Sequence, residues 1–421
     1  MKNLRAYVAL LIITVIAANL TGCTTTAKAG SLMDGISPNP VSGKPVDNII
    51  TKSIADFSID LFKKSITDNQ NSLISPLSVM FALAMTANGA DTETLVQMEA
   101  LLGGGVPLGE LNEYLYSYIR ALPSTAKSKL SIANSIWFRD NNDLLRVESA
   151  FLQTNADYYG AEAYSSAFDS QTVKEINNWV KTNTAGMVDS IIDRIIETED
   201  IIDVMYLINA VMFDAEWRNV YHKEDIQKGD FTDIIGTIRY VDFMYSIEAA
   251  YLDDGLATGF IKPYADGGYS FIALLPNENV PIETYIDTLT GEGFLETLRS
   301  AQQVIVNTFI PKFGYDYSIS MNDALSELGI PDAFDREKAD FSRMGVSPFG
   351  NIWISEVLHK TFISVDELGT KAGAVTRVSM AAPGSAPNND PKTVRLDRPF
   401  VYAIIDNTTN LPVFIGTVMT V

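Results

Sequence analysis

The chain is poor in the side chains on which most catalytic and metal sites are built. In 421 residues there is one cysteine, Cys23, and there are two histidines, His222 and His359. A lone thiol excludes any intrachain disulfide, so the fold must be held by packing alone. Two histidines far apart in sequence, with no cysteine spacing beside them, exclude the usual zinc signatures. No Gly-Lys-Ser/Thr follows the glycine run "GGGVPLGE" at Gly103, which therefore reads as a turn and not a phosphate cradle. The acidic stretch "DRIIETEDIID" at Asp193 lacks the Asp-x-Asp-x-Asp-Gly order of a calcium loop and reads as a solvated helix face. Either histidine could serve a Ser-His-Asp triad, since sequence order does not constrain one, but no nucleophile elbow accompanies them. Nothing here favours an enzyme, and no cofactor or metal is expected.

Positive charge is scarce too. Against 52 Asp and Glu stand 31 Lys and Arg, a net charge of −21 with no basic stripe, so nucleic acid is excluded as a partner. No apolar run reaches the roughly 20 residues of a membrane-spanning helix. The run from Ala6 to Ala18 follows Lys2 and Arg5 and ends at "LTGC", Leu20 to Cys23, the pattern of a secretory signal. This ending resembles the lipobox of bacterial lipoproteins, which implies cleavage before Cys23 and a diacylglycerol on its thiol. Residues 1–22 are then a signal peptide, and their loss takes the net charge to −23, because they hold Lys2 and Arg5 and no acid. The mature chain is expected outside the cell, touching a membrane only through its lipid or released from it. Residues 23–45, rich in Thr, Ala, Ser, Gly and Pro, read as a flexible tether. The remainder, 46–421, reads as one domain, and a monomer is expected.

That domain is mixed. Ile50, Ile54, Phe57 and Leu61 recur at helical spacing behind Asp47, a capping residue. In "NSLISPLSVMFALAMTANGA" Ser75 can cap, Pro76 suits the first helical position and Gly89 the exit, and the helix between is apolar nearly all round. Further helices are predicted at 91–102, 108–122, 148–159, 173–182 and 321–328. Strands are predicted at 129–138, 204–213, 260–262, 269–275, 303–311, 358–365 and 400–418. Helices come mostly early and strands mostly late, which points to an α+β class and not a βαβ repeat.

One segment, "DELGTKAGAVTRVSMAAPGSAP" from Asp366 to Pro387, joins two characters. Thr370, Ala372, Ala374, Thr376, Val378 and Met380 share one parity; Lys371, Gly373, Val375, Arg377 and Ser379 share the other. On a strand these sets face opposite sides, so the first can be buried while Lys371 and Arg377 stay in water. No proline interrupts the ladder before Pro383. The stretch is competent to be a central strand and is cut off where small residues, proline and glycine suit an exposed loop.

"DELGTKAGAVT" resembles the hinge of the serpins, the serine protease inhibitor family. "NSLISPLSVMFALAMTANGADTETLVQM", "INNWVKTNTAGMVDSII", "LINAVMFDAEW" and "DRPFVYAIIDNTTNLPVFIGTV" resemble other family motifs in the right order, from about Asn48 to Val418. The resemblance implies the serpin fold, with a large, mostly antiparallel central sheet, further sheets, surrounding helices and an exposed reactive-centre loop at about 367–395. It implies inhibition of serine proteases, and of cysteine proteases in some members, by suicide-substrate trapping. The protease cuts the loop and forms an acyl-enzyme, and the cut loop inserts into the sheet as a strand.

Residue by residue, the resemblance makes Glu367, Gly369, Thr370, Ala372, Ala374 and Thr376 the hinge. It makes Ser75, Ser78, Asn209 and His359 a polar shutter beneath the sheet, and Trp217 the breach where insertion begins. Leu368, Lys371 and Val375 depart from the family pattern, and the loop before "RPF" is longer than usual. Counting from Glu367 lands the bait bond on Pro383, a poor residue before a scissile bond. The bond is therefore assigned to the region Met380, Ala381, Ala382, Pro383, Gly384, Ser385 and Ala386, whose small residues suit elastase-like or subtilisin-like pockets. Arg377 lies too deep in the hinge, and Arg395 too near the next strand, to argue for a trypsin-like target. The rival reading is a serpin fold that does not inhibit and acts as a binding or chaperone-like module; the small hinge residues argue against it.

Overall fold

The stretch that reads as apolar all round, Pro76–Ala87, is a helix in which every residue is buried. It lies against strands of two sheets, which accounts for its lack of a polar face. The computed structural model describes residues 28–140, 145–195, 204–348, 350–370 and 390–421. The expectations for Cys23, for residues 371–389 and so for Ala372, Ala374, Thr376 and Met380 to Ala386 fall outside the described residues.

The strands, in chain order, are β1 (Gly30–Ser31), β2 (Ser72–Ile74), β3 (Ser128–Arg139), β4 (Arg146–Val147), β5 (Glu162–Ser166) and β6 (Met205–Glu216). They continue with β7 (Ile226–Thr232), β8 (Ile238–Asp253), β9 (Ala257–Pro263), β10 (Tyr269–Pro276), β11 (Gln302–Pro311) and β12 (Phe313–Ser320). The last are β13 (Gly345–Val346), β14 (Glu356–Val365), β15 (Gly369–Thr370), β16 (Lys392–Arg395), β17 (Phe400–Asp406) and β18 (Pro412–Val418). Seven form one sheet in the order β1-β5-β3-β6-β15-β14-β12. A second sheet runs β16-β11-β8-β9-β10-β17-β18-β2, with β7 beside β8, and β4 pairs with β13 in a small ribbon. Among the described residues, parallel pairing is confined to β3–β5, β6–β14 and β11–β16. The α+β expectation of a large, mostly antiparallel sheet with further sheets and surrounding helices holds.

Local signals explain several boundaries. Asp47 Oδ1 accepts hydrogen bonds from the backbone N–H of Ile49 and Ile50, capping the helix Asn48–Lys64 as expected. The glycine turn at Gly103 ends the helix Thr92–Gly103, with Gly104 in the left-handed region at φ 63°. Gly89 directly follows the C-cap Asn88, where the helix exits as expected, and packing also requires it, since a Cβ there would lie 2.5 Å from Met344 Cβ. The expected strand 400–418 is a hairpin, β17 and β18, turning through 407–411, where Asn410 has φ 62°. Residues 226–253, which carry no expectation, form the hairpin β7–β8. Ile238, Tyr240 and Ile247 are solvent-exposed there, so hydrophobic alternation does not track burial.

Residues 28–45 are not a free tether. β1 pairs antiparallel with β5, and Ala29 N–H donates to Glu175 Oε2 at 2.8 Å. Leu32 N–H bonds Ala163 O at 2.8 Å, and Asn39 N–H bonds Asp157 Oδ1 at 2.6 Å. Lys44 N–H bonds Glu113 O at 3.0 Å. Leu32, Met33 and Ile36 pack against the core. Composition misleads because three apolar residues suffice once an open strand edge is there to receive them.

Candidate functional site

The hinge begins where β14 ends. Asp366 N–H bonds Gly369 O at 3.0 Å, while Asp366 Oδ1 accepts from Leu368 N–H at 2.8 Å and Gly369 N–H at 3.3 Å. This turn sends Gly369 and Thr370 back between two strands: Gly369 lies opposite Glu216 and Thr370 opposite Ala215 on β6, with Val365 of β14 on the other side. A Cβ on Gly369 would stand 2.0 Å from Ala215 O, so only glycine passes. Thr370 is buried, in keeping with the inward parity. The Lys312 ammonium, 2.6 Å from the Glu367 carboxylate, holds its pKa below the usual range.

Trp217 receives this turn. Its indole N–H donates to Asp366 O at 2.8 Å, its backbone N–H to Leu368 O at 2.9 Å, and Tyr221 N–H bonds Glu367 O at 2.9 Å. The Trp217 ring stacks on Tyr264 at 4.6 Å with an interplanar angle of 8°, and the Tyr264 hydroxyl sits 2.5 Å from Thr370 Oγ1. Beneath lies a buried ion pair, Lys262 Nζ to Glu248 Oε1 at 2.9 Å. Lys262 also sits 5.3 Å from the Trp217 ring centre and 4.4 Å from that of Tyr221. Burial acts to lower the Lys262 pKa, but Tyr221 and Glu248 carry it above its ordinary value.

Beyond this point the two flanking strands change relationship. β6 and β14 pair with each other directly and in parallel over Tyr206–Ala210 and Glu356–Lys360. Past Ala210 and Lys360 no direct pairing of the two is found among the described residues, until β15 occupies the space at Ala215. The sheet is wedged open at one end by two residues.

Ser75, Ser78, Asn209 and His359, the four residues expected to form the shutter, meet where the wedge closes. His359 and Asn209 are register partners on β14 and β6. Ser75 N–H donates to His359 Nε2 at 3.0 Å, so the ring proton is on Nδ1, which donates to Asn209 Oδ1 at 2.8 Å. The Asn209 amide donates in turn to Ser78 O at 2.9 Å, to Ser78 Oγ at 2.5 Å and to Asn134 Oδ1. Burial pushes the His359 pKa down to about 3, so the imidazole is neutral. Both ring nitrogens of His359 are thus engaged, Nε2 by the Ser75 N–H and Nδ1 by Asn209 Oδ1. His222 is exposed and opens a short turn. One detail differs: Ser75 stands at the N-cap, yet its hydroxyl makes no capping bond and is buried without a partner, the backbone N–H doing the work instead.

Sequence reading missed Asn134, the register partner of Asn209 on β3, and missed Tyr264, Lys262, Glu248 and Lys312. The inward parity of β3 contains Asn134 among apolar residues, a signal that was available; a buried lysine in "FIKPY" carries none.

A family profile described as Serpin (serine protease inhibitor) matches residues 52–421. A serpin-like protein of Thermococcus kodakarensis is 28% identical over 385 residues, covering 89% of this chain and 86% of its own length. The crystal structure of the thermophilic serpin tengpin in its native state superposes with a TM-score of 0.88 at 55% identity, covering 94% of this chain and 100% of tengpin. Tengpin in its latent state gives a TM-score of 0.79 at 51% identity, covering 90% of this chain and 100% of that one. With the family profile spanning most of its length and the same fold in a relative of 55% identity, the chain belongs to the serpin family of protease inhibitors.

Proposed function

We propose that this protein inhibits serine proteases as a suicide substrate, and that cleavage between Met380 and Ala386 lets the segment after Thr370 enter the sheet between β6 and β14. The observation that carries this reading is β15 itself, a two-residue strand already antiparallel to both neighbours. Continuing its register sets residues 371–374 opposite Asp214, Phe213, Met212 and Val211, where the strands are already apart. Further entry must separate the parallel pairing of Tyr206–Ala210 with Glu356–Lys360. Insertion replaces one parallel interface with two antiparallel ones, the better-aligned geometry. With net gains of about 1 kcal/mol per hydrogen bond, ten new ladder bonds supply on the order of 10 kcal/mol, comparable to a domain's whole stability. That release drives distortion of a protease tethered to the loop by its acyl bond.

Small residues around the bait favour elastase-like or subtilisin-like targets. Incubation with such a protease should give a complex that survives denaturing gel electrophoresis. Cleavage with no such complex would instead assign the chain to the non-inhibitory, binding or chaperone-like members. For location, the "LTGC" ending supports export and a lipid on Cys23; metabolic labelling with a fatty acid should mark the wild type and not Cys23→Ala.

A further inference from the structure

Thr370 ends β15 in the first sheet, and Lys392 opens β16, which stands at one end of the strand order of the second sheet. The segment between is therefore tied at both ends. Thr370 stands in the wedge between β6 and β14 while Lys392–Arg395 pair with β11 in the other sheet, so an uncut chain can insert fully only if β16 gives up its place. β16 is a weak tie by strand standards: among the described residues its four residues pair on one side only, in parallel with β11 over Val306–Phe309. Val394 is buried, while Lys392 and Thr393 are exposed.

One side chain on this strand reaches much further. The Arg395 guanidinium carbon lies 4.8 Å from the ring centre of Phe309 on β11 and 4.3 Å from that of Phe243 on β8. A Cβ on Gly229 of β7 would fall 2.2 Å from an Arg395 terminal nitrogen, so the guanidinium occupies the space that glycine leaves. A single arginine thus crosses from the edge strand over β11 and β8 to β7, the whole width of this end of the sheet. Among the described residues no carboxylate pairs with it, and its neighbour Arg398 is the one bound to Asp397. The hold is planar, cation over aromatic faces, which an ammonium satisfies less well.

We infer that Arg395 is a positioning residue that locks the carboxyl-terminal stem of the bait segment in the second sheet and so keeps the uncut protein from inserting its own loop. Gly229, Phe243 and Phe309 form its seat. The inference rests on the insertion mechanism proposed above.

The test follows intact protein, without protease, over time at a temperature below melting. Samples of wild type, Arg395→Ala, Arg395→Lys and Gly229→Ala are assayed for residual complex formation relative to each starting value, for mass and for melting temperature. Arg395→Ala is expected to lose complex formation at least tenfold faster than wild type, with unchanged mass, a monomeric profile and a higher melting temperature in the converted form. Gly229→Ala, which displaces the guanidinium while leaving it in the chain, should move the same way, and Arg395→Lys should restore part of the lifetime. A merely structural role would lower the melting temperature and produce aggregate, not a hardier monomer. Equal lifetimes for Arg395→Ala and wild type, or faster loss through aggregation, would overturn the inference. Failure of the wild type itself to form a complex would instead strike at the mechanism, a separate outcome read in the same experiment.

Discussion

The Tyr264 hydroxyl rests 2.5 Å from Thr370 Oγ1, and the Tyr264 ring stacks on Trp217. These two contacts seat the first residues of the returning strand. The hydroxyl is buried, and burial pushes the Tyr264 pKa far above its usual value, so it stays protonated. Replacing it with phenylalanine removes one buried hydrogen bond and leaves Thr370 Oγ1 short of a partner, costing about 1–3 kcal/mol. Tyr264→Phe should lower the denaturation midpoint of the intact protein accordingly.

Thr370→Arg places a charged side chain at a position now buried between strands. An unpaired cation there resists entry into the wedge. The variant should be cut by the target protease and released, so that gels show cleaved protein in place of covalent complex. Undiminished complex formation would contradict the assignment of inward parity.

Cleavage of the wild-type bait should raise thermal stability. If the released segment fills the gap beyond β15, the clipped protein melts well above the intact one, by tens of degrees when about 10 kcal/mol is gained. Calorimetry of clipped and intact protein decides this directly.

His359 makes intact-protein stability depend on pH. Burial holds its pKa at about 3 in the fold, against 6.5 for an exposed histidine. Between these values the unfolded chain binds a proton that the native state refuses, so stability falls as pH drops from 6.5 towards 3, by up to about 1.4 kcal/mol per unit. Protonation would also abolish acceptance by Nε2 from Ser75 N–H. Denaturant titrations of wild type and His359→Gln from pH 7 to 4 should show a shallower slope for the variant.

Asn134 closes the polar row across β3, β6 and β14. Asn134→Ala removes the acceptor for one Asn209 amide proton in the interior, and should cost about 1–3 kcal/mol. Its loss should be non-additive with Asn209→Ala, because the two act through one hydrogen bond. Additive losses in a double-mutant cycle would remove Asn134 from the shutter.

Much of this is legible in the sequence alone. Capping by Asp47, the buried helix Pro76–Ala87 and the burial of Thr370 follow from side-chain chemistry and strand parity, which act over a few residues. The shutter quartet was legible only through resemblance, since nothing local relates Ser75 to His359. The docking of residues 28–45 was not legible, because its few apolar residues matter only beside the free edge of β5.

Sequence by itself determined the local instructions: which faces are apolar, where turns must fall, and that residues 370–380 can form a strand. Tertiary structure decided which partners answer those instructions. Tyr264 under Thr370, Lys262 under Trp217 and Arg395 across three strands join positions that the chain brings together only after both sheets have formed. The energies of such contacts depend on distance and burial, and neither is a property of adjacent residues.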